Sequence, residues 1–173
     1  MPPPKPRVPL ATIPPEAESL LQKRGGVPNN VHRVLANHPA LLQAWIEFVY
    51  SLRAAGMAPP RFRELVILRV AANAKSSYEW VHHQSLAASA GIDEAELAGV
   101  RDWPAFHKFS KEDDLALGLA DAVSEGDVPR ALLDRAVRTF GTAEALELVV
   151  TAGFYAMVAH LISWIEIPLE SDM

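Results

Sequence analysis

The chain contains no cysteine among its 173 residues. That excludes disulfides, zinc–thiolate sites, iron–sulfur clusters and any redox cycle through the protein's own thiols. Positive charge is also scarce: 16 Lys and Arg stand against 21 Asp and Glu, for a net charge of −5 and a pI near 5.7. An acidic balance of this kind argues against nucleic acid as a partner. No run approaches the roughly 18 apolar residues of a membrane span, so no membrane partner is expected. The N-terminus lacks a basic stretch followed by an apolar segment, the mark of a signal peptide, and the expected location is cytoplasmic. There is no Gly-x-Gly-x-x-Gly, no phosphate loop and no Gly-x-Ser-x-Gly elbow.

What is present is apolar and helical. Half the residues are apolar and 21 % are charged, which suits one compact domain with a substantial core. Residues 1–15 hold seven prolines. Proline lacks a backbone donor and blocks helix continuation, so this stretch reads as an extended arm, either disordered or wrapped around a neighbouring subunit. Residues 16–173 read as a single helical domain of about eight helices joined by short loops, an all-α bundle with no repeat period. Helix starts are marked by Pro15, by Asn29 or Asn30, by Pro39, Pro60, Asp93, Ser110 and Pro129, and by Thr142 as a cap; Gly91 and Gly141 mark helix ends. Segments 64–72 and 145–162 are apolar almost all round, which places them in a core or a subunit interface.

The informative stretch is Arg63-Glu64-Leu-Val-Ile-Leu-Arg-Val-Ala-Ala followed by Ser76-Ser77-Tyr78-Glu79-Trp80-Val81-His82-His83. Glu64 lies in a run so apolar that its carboxylate needs a partner. Arg61 or Arg69 would supply a purely structural ion pair. Glu79 and His83 stand four apart on one predicted helix, about 40° apart around its axis, so their side chains can meet. A carboxylate beside an imidazole orients the ring for proton transfer near neutral pH; a solvated surface pair is the plain alternative. Tyr78 and Trp80 fit core or interface positions as readily as a site.

Glu79 and His82 match the Glu-x-x-His spacing of carboxylate-bridged di-iron bundles. Such sites need a second motif, and Glu47, Glu64 and Glu94 are followed at the third position by Tyr50, Ile67 and Leu97. No metal site is therefore expected. His160, in the apolar last segment, reads as a core histidine.

These residues resemble the carboxymuconolactone decarboxylase and AhpD-like family, most closely over residues 60–97, with Tyr78-Glu79-Trp80, His83 and Gly91 in place and a similar ending at Trp164-Ile-Glu-Ile-Pro168-Leu-Glu170. The peroxidase-type branch of that family carries Cys-x-x-Cys, a histidine four residues on and a glutamate twelve residues upstream. Carried onto this chain, the cysteines fall at Ser76 and Glu79, the histidine at His83 and the glutamate at Glu64. The acid/base parts match and both redox parts are missing, so the chain is no thiol peroxidase and looks like the cysteine-free branch.

The resemblance implies an AhpD-like fold and cofactor-free chemistry: a carbon–carbon lyase of decarboxylase type acting on a small carboxylated lactone or activated carbonyl compound. The expected catalytic residues are His83 as proton donor, Glu79 as the group that orients and charges it, and Glu64 as second base or orienter. His82, Tyr78 and Trp80 are the expected substrate contacts. The resemblance also implies a homo-oligomer, a trimer or hexamer. The competing expectations are an isomerase or hydratase on another carbonyl compound, and a non-catalytic oligomeric protein that binds a small molecule. They part according to whether Glu64, Glu79 and His83 converge or Glu64 pairs with an arginine elsewhere.

Overall fold

The computed structural model describes residues 5–54 and 56–170. Among the described residues there are nine α-helices and no strand: α1 (Pro15–Lys23), α2 (Asn30–Leu35), α3 (Pro39–Ala54), α4 (Pro60–Asn73), α5 (Ser77–Ser89), α6 (Glu94–Asp102), α7 (Lys111–Glu125), α8 (Arg130–Phe140) and α9 (Thr142–Ile165).

Local chemistry accounts for most of the boundaries. α1 and α4 open with proline in the first turn, where a missing N–H costs nothing. α6 and α7 open with capping boxes, Asp93 with Glu96 and Ser110 with Asp113. α2 has the same arrangement with an unusual member: Asn29 accepts from the His32 N–H, and His32 Nδ1 accepts from the Asn29 N–H at 3.2 Å. Gly91 follows α5 with φ +81°, a conformation open to glycine at little cost. Thr142 is the first helical residue of α9 and not its cap, a displacement of one position.

The chain forms two compact units, Met1–Ala55 with Leu161–Met173, and Gly56–His160. In the first, α3 packs on α1 and α2, burying Leu21, Val31, Leu35, Leu42 and Ile46. Residues 5–14 of the proline-rich arm are held by this unit. The Arg7 N–H donates to the Ile165 carbonyl, the Ala11 N–H to Arg33 and the Asn37 side chain to Pro9. An Arg7–Glu166 ion pair adds to these. Met1–Pro4 lie outside the described residues.

In the second unit α4 is the central helix, packed most extensively on α7 and α5. Arg63 through Leu68, Val70 and Ala71 are all buried, which explains why residues 64–72 read as apolar on every side. Leu65, Leu68, Ala71, Trp80, Ala87, Val100 and Leu117 form one core cluster across α4, α5, α6 and α7. Arg61 ties the start of α4 to its neighbours, donating to Asp113 at 2.9 Å, to Glu96 at 2.6 Å and to the Gly91 carbonyl at 2.8 Å.

α9 corrects an expectation. On length and composition it could cross a membrane, although Thr151, Gly153 and His160 break any strict apolar run. It is not buried all round either. Leu146, Met157 and Trp164 are 62 %, 50 % and 67 % exposed, and their spacing of 11 and 7 residues keeps them on one face of a 3.6-residue helix. His160, expected in the core, is exposed with them.

Candidate functional site

The site is built by the packing of α5 against α4. Ser76 caps α5, its hydroxyl accepting from the Glu79 N–H at 3.4 Å. Glu79 therefore sits in the first helical turn, with His83 one turn further on. α4 brings Glu64 to the same place.

His83 Nδ1 lies 2.7 Å from Glu64 Oε2, and His83 Nε2 lies 3.6 Å from Glu79 Oε2. All three residues are 5 % exposed. In the tautomer that carries its hydrogen on Nδ1, the ring donates to Glu64 across this short contact. That leaves Nε2 as the working nitrogen, turned toward Glu79. Burial pushes the Glu79 carboxyl above its ordinary value; the His83 imidazole opposes this and the Glu64 carboxylate adds to it.

The arrangement narrows the expected division of labour. Glu79 and Glu64 were both expected to serve the ring, Glu64 as second base or orienter, and it is Glu64, 19 residues away, that makes the tight bond. Glu64 does not pair with an arginine. Arg61 serves Asp113 and Glu96, Arg63 pairs with Glu147 at 3.1 Å, and Arg69 pairs with Asp121 at 2.6 Å.

The neighbouring aromatic residues divide. Tyr78 is buried and its ring stacks on His82 at 4.4 Å, while His82 is half-buried. Trp80 belongs to the core cluster, with the Arg101 guanidinium 3.8 Å from its ring centroid. Among the described residues, no group of three or more His, Asp or Glu is arranged to hold a metal ion. A cavity of about 350 Å³ lies elsewhere in this unit, between Arg69, Asn73, Asp121, Ser124, Glu125 and His160, and includes none of the three site residues.

Two α9 residues carried no mark in the sequence. The Tyr155 ring meets the His83 ring edge-on, centroids 5.0 Å apart. One turn earlier on α9, Thr151 is 1 % exposed and its hydroxyl has no hydrogen-bond partner among the described residues. An unmet buried hydroxyl costs about 1–3 kcal/mol. The only signal for either was an oxygen-bearing side chain in an otherwise apolar segment.

The unit is all-helical and holds an imidazole between two carboxylates. The fold agrees with solved structures. An uncharacterized peroxidase-related protein from Silicibacter sp. TM1040 matches with a TM-score of 0.80 at 18 % identity, over 99 % of this chain and 96 % of that one. An uncharacterized peroxidase-related protein with an alkylhydroperoxidase AhpD core, from Ralstonia eutropha JMP134, matches with a TM-score of 0.79 at 18 % identity, over 98 % and 94 %. A debrominase solved in complex with 2,3,4-tribromopyrrole matches with a TM-score of 0.75 at 13 % identity, over 91 % and 85 %. Among curated proteins no sequence matches. The model of the Carboxymuconolactone decarboxylase family matches residues 39–122 of the chain.

Proposed function

We propose that the protein is a cofactor-free enzyme that moves protons to and from carbon, a carbon–carbon lyase of decarboxylase type acting on a small carboxylated lactone or a related activated carbonyl compound. The observation that carries this reading is one buried imidazole with a carboxylate bonded to Nδ1 and a second carboxylate, its affinity for a proton raised by burial, beyond Nε2. The family match supports it, and the absence of cysteine removes thiol peroxidase chemistry from consideration.

In the proposed step the bond between the substrate carboxylate and its carbon breaks and CO₂ leaves. The electron pair passes into an enolate spread toward the lactone carbonyl. One proton then returns to carbon from the Nε2 side, and solvent replaces it. Glu64 fixes the tautomer and the ring, His83 and Glu79 share the transferred proton, and half-buried His82 contacts the substrate. Tyr78 contributes by stacking on His82, and Trp80 by anchoring α5. The debrominase neighbour indicates that this fold serves more than one reaction, and an isomerase or hydratase would use the same proton transfer.

The same reading places the protein in the cytoplasm as a homo-oligomer, a trimer or hexamer, with the exposed apolar residues of α9 supporting an interface. The test of the chemistry is an NMR screen in deuterated buffer with carboxylated lactones, muconolactones and enolisable carbonyl compounds. Turnover or deuterium incorporation by the wild type and its loss in His83→Gln are expected. Undiminished turnover in a folded His83→Gln variant refutes the assignment, and no reaction with any compound removes the decarboxylase reading.

A further inference from the structure

The triad accounts for the proton but not for the charge. As the carbon–carbon bond breaks, a carbonyl oxygen gains a full negative charge and needs a hydrogen-bond donor aimed at it. Glu64 is an acceptor, and the His83 Nδ1–H is already committed to it. A further donor has to come from elsewhere.

Thr151 is placed to be that donor. A helical threonine hydroxyl commonly bonds back to the carbonyl four residues earlier; this one bonds neither there nor to any other described group, although it is 1 % exposed. Valine has the same shape and would avoid the cost of an unmet buried hydroxyl. Glu147, Thr151 and Tyr155 form one column down α9, spaced four residues apart. The column is fixed to α4 at Glu147, by the bond to Arg63 at 3.1 Å, and to α5 at Tyr155, by the ring contact with His83. Thr151 lies one turn, about 6 Å along the axis, from each of these contacts. Arg63, at one end of the column, immediately precedes Glu64 in the chain.

We propose that the Thr151 hydroxyl is the oxyanion donor of this site, receiving the substrate's carbonyl oxygen as it becomes an enolate. The inference rests on the enolate-forming reading above and supplies the group that reading lacks. It also explains a threonine set among the buried Leu148, Ala152, Phe154 and Tyr155.

The probe is tetronate, a five-membered lactone that is a stable enolate anion at neutral pH. Its binding to the full chain is measured by calorimetry for wild type, Thr151→Val, Thr151→Ser and His83→Gln, with a thermal melt of each. One hydrogen bond to a charged oxygen corresponds to roughly a tenfold loss of affinity or more. Thr151→Val is expected to show that loss while melting no lower than wild type, and Thr151→Ser to stay within about threefold because it keeps the hydroxyl. If Thr151→Val binds as well as wild type while His83→Gln does not, Thr151 is no oxyanion donor and the triad reading stands. If Thr151→Val instead melts well below wild type, the hydroxyl is structural and the proposal fails. If wild type does not bind tetronate, the lactone–enolate reading falls and takes this role with it.

Discussion

The contact between Glu64 and His83 can be weighed without knowing any substrate. The two side chains are 7 % and 6 % exposed and meet at 2.7 Å. A hydrogen bond to a charged partner contributes about 1.5–3 kcal/mol, and stranding a buried polar group costs about 1–3 kcal/mol, more when it is charged. Glu64→Gln keeps the shape and an accepting oxygen but loses the charge. His83→Gln keeps a donor but loses the ring. Each single variant is therefore expected to lose roughly 2–4 kcal/mol, a drop in Tm on the order of 10 °C for a chain of this size. Once one partner is gone, the second substitution has little left to break, so the double variant should lose scarcely more than either single one. Urea unfolding at pH 7, followed by circular dichroism, gives the coupling energy directly, with about 2 kcal/mol expected. Additivity within about 0.5 kcal/mol would mean that the two groups do not interact, and the argument for an oriented imidazole would collapse.

Glu79→Gln tests the other side of the ring. Because burial raises the Glu79 carboxyl above the ordinary 4.5, its stabilising contribution is complete below that value and is lost as pH rises through the raised one. The Gln variant should gain on wild type between melts at pH 5 and pH 8, while turnover falls by about 10²–10⁴. For Asp113, burial pushes the carboxyl up, but the hydrogen bonds from Arg61 and Ser110 prevail and hold it below the ordinary 3.8. Its contribution is present above that value and disappears as pH falls below it, so Asp113→Asn should be less stable at neutral pH and show a shallower acid limb in pH-dependent melts. Gly99→Ala would set a Cβ 2.4 Å from the Phe106 ring and should cost about 1–3 kcal/mol by chemical denaturation, since the ring lies against the core cluster. Light scattering should report a trimer or hexamer, and Met157→Glu should lower that mass; a monomeric wild type refutes the assembly.

The helices were legible because their punctuation is local. Pro60, Asp93, Ser110 and Gly91 act through their own backbone geometry or through partners within three residues, and all stand where they were expected. The Glu79–His83 pairing was legible for the same reason, being one helical turn. Which carboxylate grips the ring was not, because the Glu64 bond depends on the register of α4 against α5, and no local pattern encodes that register. Composition left α9 open between a core and a subunit interface. An apolar average cannot tell a helix buried on all sides from one that buries Phe154, Val158 and Ile162 and leaves Leu146 and Met157 in water, so His160 was put on the wrong face. Tyr155 had no signature because it meets His83 only across a tertiary contact.

The division into two units has an optical consequence. Each unit carries two tryptophans, Trp45 and Trp164 in one and Trp80 and Trp103 in the other. Trp164 is 67 % exposed, so its surroundings should change little on unfolding and Trp45 reports on its unit, while Trp80, 6 % exposed beneath Arg101, reports on the unit that holds the triad. Tryptophan-to-phenylalanine variants that leave one emitter at a time therefore separate the two unfolding transitions by colour. Coincident curves make the chain a single cooperative system, and the coupling energy of Glu64 and His83 then refers to all of it. Separated curves confine that energy to the unit Gly56–His160, and a ligand at the triad would then protect Trp80 from denaturant while leaving Trp45 to melt as before.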